Sequence, residues 1–110
     1  RKLRITLSEN IMKISHIIFF ISLLLATFTL HAGDVDSGRT KSLTCGACHG
    51  PEGKSFNDHW PNLAGQKTGY IILQLKAFRD GSRYDPWMSP MATPLSDKEI
   101  KDLAAFYSSL

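Results

Sequence analysis

Cys45-Gly46-Ala47-Cys48-His49 is the stretch from which the rest of this chain is read. Two thiols at this spacing can reach two vinyl groups on one edge of a porphyrin, and the imidazole that follows directly can stand under the centre of the ring. The pattern therefore predicts one haem, fixed by thioether bonds at Cys45 and Cys48 and by an iron–nitrogen bond at His49. Without the His, the pair would read as a redox dithiol or half of a zinc site. Zinc wants two further ligands, and after residue 32 the chain offers His59 besides His49 and no third Cys. A thioredoxin-like site wants strands alternating with helices, and no strand pattern surrounds the motif.

The first third of the chain stands outside the predicted domain. Met12-Lys13-Ile14-Ser15-His16 precedes a mostly apolar run from Ile17 to Leu30 and then His31-Ala32-Gly33-Asp34. That order of charged, apolar and small residues is that of an export signal. Residues 1–11, with Arg1, Lys2 and Arg4, stand ahead of a start at Met12 and read either as untranslated or as an extension of the charged region. Cleavage after Ala32 divides the chain into residues 1–32, an upstream segment and cleaved signal peptide, and residues 33–110, the domain. The alternative is an uncleaved anchor, against which the apolar run falls short of the roughly 20 residues that span a bilayer. Export predicts the periplasm, an oxidising compartment that turns free thiol pairs into disulfides unless something captures them. Haem attachment is such a capture.

The formal charge of +3 belongs to the upstream segment. Residues 33–110 hold nine Lys and Arg against nine Asp and Glu. This neutrality excludes nucleic acid as a partner. A domain of this size buries only a marginal core of its own, so its apolar side chains are expected to pack on the porphyrin, and the protein without haem to be largely unfolded.

Along the domain, a short helix is expected from about Asp36 to Cys45, with Asp34 and Asp36 at its positive end. Gly50 to Asp58 reads as a loop against the haem edge. A second helix is expected from Gln66 or Lys67 to about Phe78, with Tyr70, Leu73 and Ala77 on one stripe and Ile71, Leu75 and Phe78 on the next, closed by Asp80-Gly81. Pro86, Pro90 and Pro94 deny regular structure between Ser82 and Pro94 and predict a stiff extended loop that presents a ligand. The last helix has the clearest start: Ser96 and Glu99 form a capping box ahead of Ile100, Leu103, Ala104, Phe106 and Tyr107. It is expected to reach the C-terminus. A soft thioether suits iron as the second axial ligand, and Met88 and Met91 both offer one.

Four stretches, in this order, carry a resemblance to a known family: Cys45-Gly46-Ala47-Cys48-His49-Gly50 with Gly53; Trp60-Pro61-Asn62-Leu63-Ala64-Gly65-Gln66; Gln74-Leu75-Lys76-Ala77-Phe78-Arg79-Asp80-Gly81; and Met88-Ser89-Pro90-Met91 running into Leu95-Ser96-Asp97. The domain resembles the class I c-type cytochromes, in particular short monohaem bacterial ones similar to one half of the dihaem periplasmic cytochromes. The resemblance implies an all-α, small cytochrome c fold of three to four helices around one covalently attached haem c, with the first and last helices crossing. It implies His49 and Met88 as axial ligands and leaves Met91 as a filler against the ring. It implies that the Pro61 carbonyl accepts a hydrogen bond from His49, and here Trp60 stands where the family more often has Phe. His59 as distal ligand is the rival, in a loop that the family places on the His49 side. Arg79, Arg83, Tyr70 and Trp87 are candidate donors to the haem propionates.

With both axial positions filled by protein there is no open site for a small-molecule substrate, so the expected role is electron transfer by ferric/ferrous cycling rather than catalysis. The expected partners are redox proteins met by transient docking, and the expected form is a soluble monomer. The alternative is a haem c subunit held in a periplasmic dehydrogenase complex. A haem enzyme or gas sensor is the third reading, and it needs an open axial position.

Overall fold

The computed structural model describes residues 2–25 and 32–110, which fall in two compact units, residues 1–31 and 32–110. In the first unit Lys2–Leu25 form helix α1. Among the described residues no helix is long and apolar enough to cross a membrane. The end of the apolar run and the approach to the expected cleavage point, residues 26–31, lie outside the described residues.

The second unit is all helical, with α2 (Val35–Lys41), α3 (Gly46–His49), α4 (Thr68–Asp80), α5 (Met88–Ala92) and α6 (Asp97–Ser108), and no strand among the described residues. Three of these are the expected main helices, and α3 and α5 are short additions. The Asp34 carboxylate starts α2 by accepting the Ser37 N–H at 2.6 Å. The helix stops four residues short of Cys45, because the Ser42 hydroxyl turns back to the Arg39 carbonyl (2.8 Å) and residues 42–45 run as turns. The haem motif is therefore carried on its own helical turn, α3, and not on the tail of α2 as expected.

α4 ends at Gly81 with φ 84°, a left-handed position that only glycine takes without strain. Its Ile71 and Phe78 are buried, whereas Tyr70 and Leu73 of the other expected stripe are exposed. Between α4 and α6 the expectation of an unbroken extended loop is overturned by α5. Pro90 is the third residue of that helix, within the first turn, where an N–H has no intrahelical acceptor and its loss costs nothing.

α6 is the spine of the unit. Ser96 Oγ accepts the Glu99 N–H at 3.2 Å, and Glu99 Oε2 accepts the Ser96 N–H at 2.8 Å, the reciprocal cap that the sequence predicts. The helix ends at Ser108, two residues short of Leu110. Ile100, Leu103, Ala104, Phe106 and Tyr107 are all buried, and Ile71 joins the core from α4. α2 crosses α6 at Gly38, where a Cβ would stand 2.0 Å from the Asp102 carbonyl oxygen and 2.8 Å from Phe106 Cβ. Arg39 lies over the Phe106 ring, 5.1 Å from its centroid, and covers the seam. Asp102, buried at 4 % exposure, accepts the Asp34 N–H at 2.8 Å and pairs with Lys98 at 2.6 Å. Lys98 first and the Asp34 N–H second hold its carboxyl below the usual range. Lys41 reaches from α2 to Glu99 at 2.6 Å.

Gly38→Ala sets two effects against each other. A helical Gly→Ala change ordinarily gains about 1 kcal/mol, but here the added carbon meets backbone, which yields little, and overpacking of that kind costs about 1–3 kcal/mol. Chemical denaturation of the haem-loaded protein is expected to show a net loss, and a gain would mean that the two helices can separate freely.

Lys41, followed by the hydrogen bonds from Ser96, lowers the Glu99 carboxyl from 4.5 to about 2. A lowered carboxyl favours the fold above its unfolded pKa, and the advantage disappears as pH falls from about 4.5 toward 2. Lys41→Met is expected to flatten the acid limb of the stability profile over that window, as read by denaturation at successive pH values.

Candidate functional site

The site is assembled on a cleft of about 850 Å³, within the size range of small-molecule and cofactor pockets. Ile71, Leu75, Phe78 and Leu103 give it apolar walls, and Cys45, Cys48, His49, Met88 and Met91 all line it. The structure thus brings together the residues that the sequence singles out for haem.

His49 closes α3 and is buried at 6 % exposure. Its Nδ1 lies 2.7 Å from the Pro61 carbonyl oxygen. A carbonyl only accepts, so Nδ1 carries the proton and donates, and Nε2 is left as the nitrogen with the lone pair. This is the tautomer and orientation that a metal-binding imidazole needs. Pro61 is itself held by its loop. The Leu63 and Ala64 N–H groups donate to the Gly53 carbonyl (2.7 and 3.0 Å), the Gly65 N–H donates to the Tyr107 carbonyl (2.8 Å), and the Ser55 N–H donates to Asn62 Oδ1 (2.7 Å). Gly53, with φ 70°, must be a glycine, since a Cβ would meet the Ala64 nitrogen at 2.7 Å and the Tyr107 ring at 3.0 Å.

The two cysteines differ in burial, Cys45 half-buried and Cys48 exposed, and no disulfide joins them. Before attachment, burial holds the Cys45 thiol above the usual range. Met88 opens α5, half-buried, and Met91 follows one turn later, more exposed at 42 %. The turn that carries Met88 is built by Asp85. Its Oδ1 accepts the Trp87 and Met88 N–H groups, both at 2.8 Å, while its own N–H donates to Ser89 Oγ at 3.0 Å. These bonds hold the Asp85 carboxyl below the usual range, the one from Met88 most.

Two thiols, an imidazole with a free Nε2 and two thioethers inside an apolar cleft fit a covalently held haem. They do not fit zinc: among the described residues no group of three or more His, Cys, Asp or Glu side chains is placed to hold a metal ion. His59 also lines the cleft. Of the four candidate propionate donors, Arg79 is committed elsewhere, to Asp80 and Asp97 at 2.8 Å each and to the Leu95 carbonyl at 3.2 Å. Asp97 takes a second partner, Lys76, at 3.0 Å. Arg83 lies 4.4 Å from the Phe78 ring centroid and donates to Gln74 Oε1, while lining the cleft with Tyr70 and Trp87.

Sequence reasoning missed Asp85 and the hydroxyl of Tyr107. Asp85-Pro86 is a helix-start pair, a signal that was present. Tyr107 was visible only as a core residue of α6, because its neighbours come from loops far away in sequence.

Residues 36–110 match the family described as Cytochrome c. The chain is 47 % identical over 81 residues to cytochrome c-554(548) of Halomonas halodenitrificans, covering 71 % of this chain and 98 % of that one. It is 47 % identical over 78 residues to cytochrome c4 of Thiocapsa roseopersicina, covering 70 % of this chain but 40 % of the relative. The crystal structure of reduced cytochrome c4 from Pseudomonas stutzeri superposes with a TM-score of 0.67 at 40 % identity, over 71 % of this chain and 46 % of that one. The chain therefore spans nearly all of the first relative and less than half of these two cytochrome c4 chains.

Asp85→Ala is expected to leave the Trp87 and Met88 N–H groups without an acceptor. Loss of a cap corresponds to about fivefold faster amide hydrogen exchange at those two positions, with α6 unchanged. Unchanged exchange at Met88 would mean that the turn is held by something other than Asp85.

Proposed function

Because this chain belongs to the cytochrome c family, with covalently bound haem c as its cofactor, we propose that it is a monohaem electron carrier whose iron is held axially by His49 and Met88. When bound, the haem supplies reversible one-electron ferric/ferrous chemistry. The residues do the rest. Cys45 and Cys48 tether, and Pro61, through its carbonyl, fixes the plane of the His49 ring and raises the basicity of Nε2. Met88 offers a soft thioether that favours ferrous iron. The apolar walls would surround the haem with low-dielectric material, in which the extra charge of ferric iron is costly and the potential is raised. With His and Met both taken up by iron there is no open position for a substrate, so the protein passes electrons and catalyses nothing.

The observation that carries this reading is the 2.7 Å bond from His49 Nδ1 to Pro61, which frees Nε2 in the cleft that Met88 lines. The partners are redox proteins met in brief, small-area encounters. Residues 1–32 act as the upstream segment and signal peptide, cut after Ala32, and residues 33–110 work as a monomer in the periplasm.

Absorption spectra of periplasmically matured protein test the ligand set. The ferric form is expected to show the weak long-wavelength band of an iron–thioether bond. Met88→Ala is expected to abolish it and Met91→Ala to keep it. A band lost only in Met91→Ala would move the ligand to Met91. A parent protein that lacks the band and binds carbon monoxide readily when reduced would overturn the carrier reading in favour of an open site.

A further inference from the structure

Among the described residues, the Tyr107 hydroxyl is the buried side-chain polar atom left without a hydrogen-bond partner. Such a group is costly to keep unless something pairs with it. Its surroundings are specific. Tyr107 lines the haem cleft beside Cys45, and Cys45 packs against the core cluster that contains Tyr107. Burial pushes the hydroxyl up, so it stays a donor. The other polar neighbour, Ser42, gives its proton to the Arg39 carbonyl at 2.8 Å, so its oxygen is the one acceptor that competes with the Cys45 sulfur. The ring is fixed from outside by the close backbone of Gly53, and the main chain by Gly65.

Thioether formation changes what the Cys45 sulfur can do. The S–H adds across a vinyl double bond: sulfur bonds one vinyl carbon, the proton ends on the other, and no electrons are gained or lost. Afterwards the sulfur has no proton and can only accept. We propose that Tyr107 is a positioning residue whose O–H donates to the attached Cys45 sulfur, and that this donor biases the protein toward the ferrous state. The positive end of the O–H dipole then faces a substituent of the macrocycle, where it favours the added electron. Hydrogen bonding around the redox group is one of the levers that set a haem potential. The inference rests on Cys45 being an attachment sulfur.

The test uses the haem-loaded protein and Tyr107→Phe, which keeps the ring against Gly53 and the backbone bond to Gly65. At a fixed ambient potential the ferrous-to-ferric ratio is expected to be about threefold lower in the variant, the size of one modest hydrogen bond. In the parent protein, ring-labelled tyrosine is expected to shift a band in the reduced-minus-oxidised infrared difference spectrum, and that band is expected to vanish in Tyr107→Phe. An unchanged ratio, a tyrosine band that survives the substitution, or a parent spectrum with no tyrosine band overturns the proposal. An equal drop in Ser42→Ala also overturns it, because Ser42 would then be the acceptor. Haem staining after denaturation separates the two claims. Haem lost on denaturation sinks the attachment at Cys45 and Cys48, whereas haem retained with an unmoved ratio sinks the role of Tyr107 alone.

Discussion

The bond between His49 Nδ1 and the Pro61 carbonyl is the constraint on which the site depends, because it decides which nitrogen of the ring is available. A carbonyl can do this only if it does not move. Its position is inherited from Gly53, which receives two N–H groups from the far side of the loop, and from Tyr107, whose carbonyl anchors Gly65. Tyr107 belongs to α6, and α6 is held by α2 through the contact at Gly38. The chain of support thus runs from the crossing of two helices, one before and one far after the motif in sequence, to one ring nitrogen of His49.

That arrangement explains an economy in the domain. α6 contributes most of the fully buried side chains, yet it also carries Glu99 and Asp102, which tie down α2 and the chain leading into it. Core, caps and the support of the haem loop lie on one helix of 12 residues. In a domain too small for a large core, such overlap lets a few contacts serve several ends, and it makes α6 intolerant of change on nearly every face.

What the sequence revealed follows from range. The haem motif, the Ser96 and Glu99 cap and the Gly81 stop are written in residues within four positions of one another; the cap and the stop are found where expected, and the motif stands on its own turn rather than on the tail of α2. Pro61 and Met88 were placed by resemblance to a family, and the structure sets them at His49 and in the cleft. α5 escapes a local reading because three prolines argue against regular structure, whereas Pro90 falls in a first turn and Asp85 accepts the Trp87 and Met88 N–H groups that start it. The close approach at Gly38 and the unpaired hydroxyl of Tyr107 depend on partners more than 50 residues away, and no local pattern encodes them.

The ion pairs have a kinetic meaning beyond holding helices. Lys41, Lys76, Arg79 and Lys98 all face carboxylates of the same domain. Arg39 and Arg83 lie over Phe106 and Phe78. These ring contacts leave the charge in place, and Arg39 and Arg83 with Lys54, Lys67 and Lys101 are matched in number by the carboxylates outside the ion pairs, so the protein part carries no net charge to project beyond a Debye length of about 8 Å in physiological salt. Association without net-charge steering typically runs at rates of order 10⁵–10⁷ M⁻¹s⁻¹ set by shape and orientation. For the carrier proposed above, such a balance shifts the selection of partners from charge at a distance to the fit of surfaces once they touch.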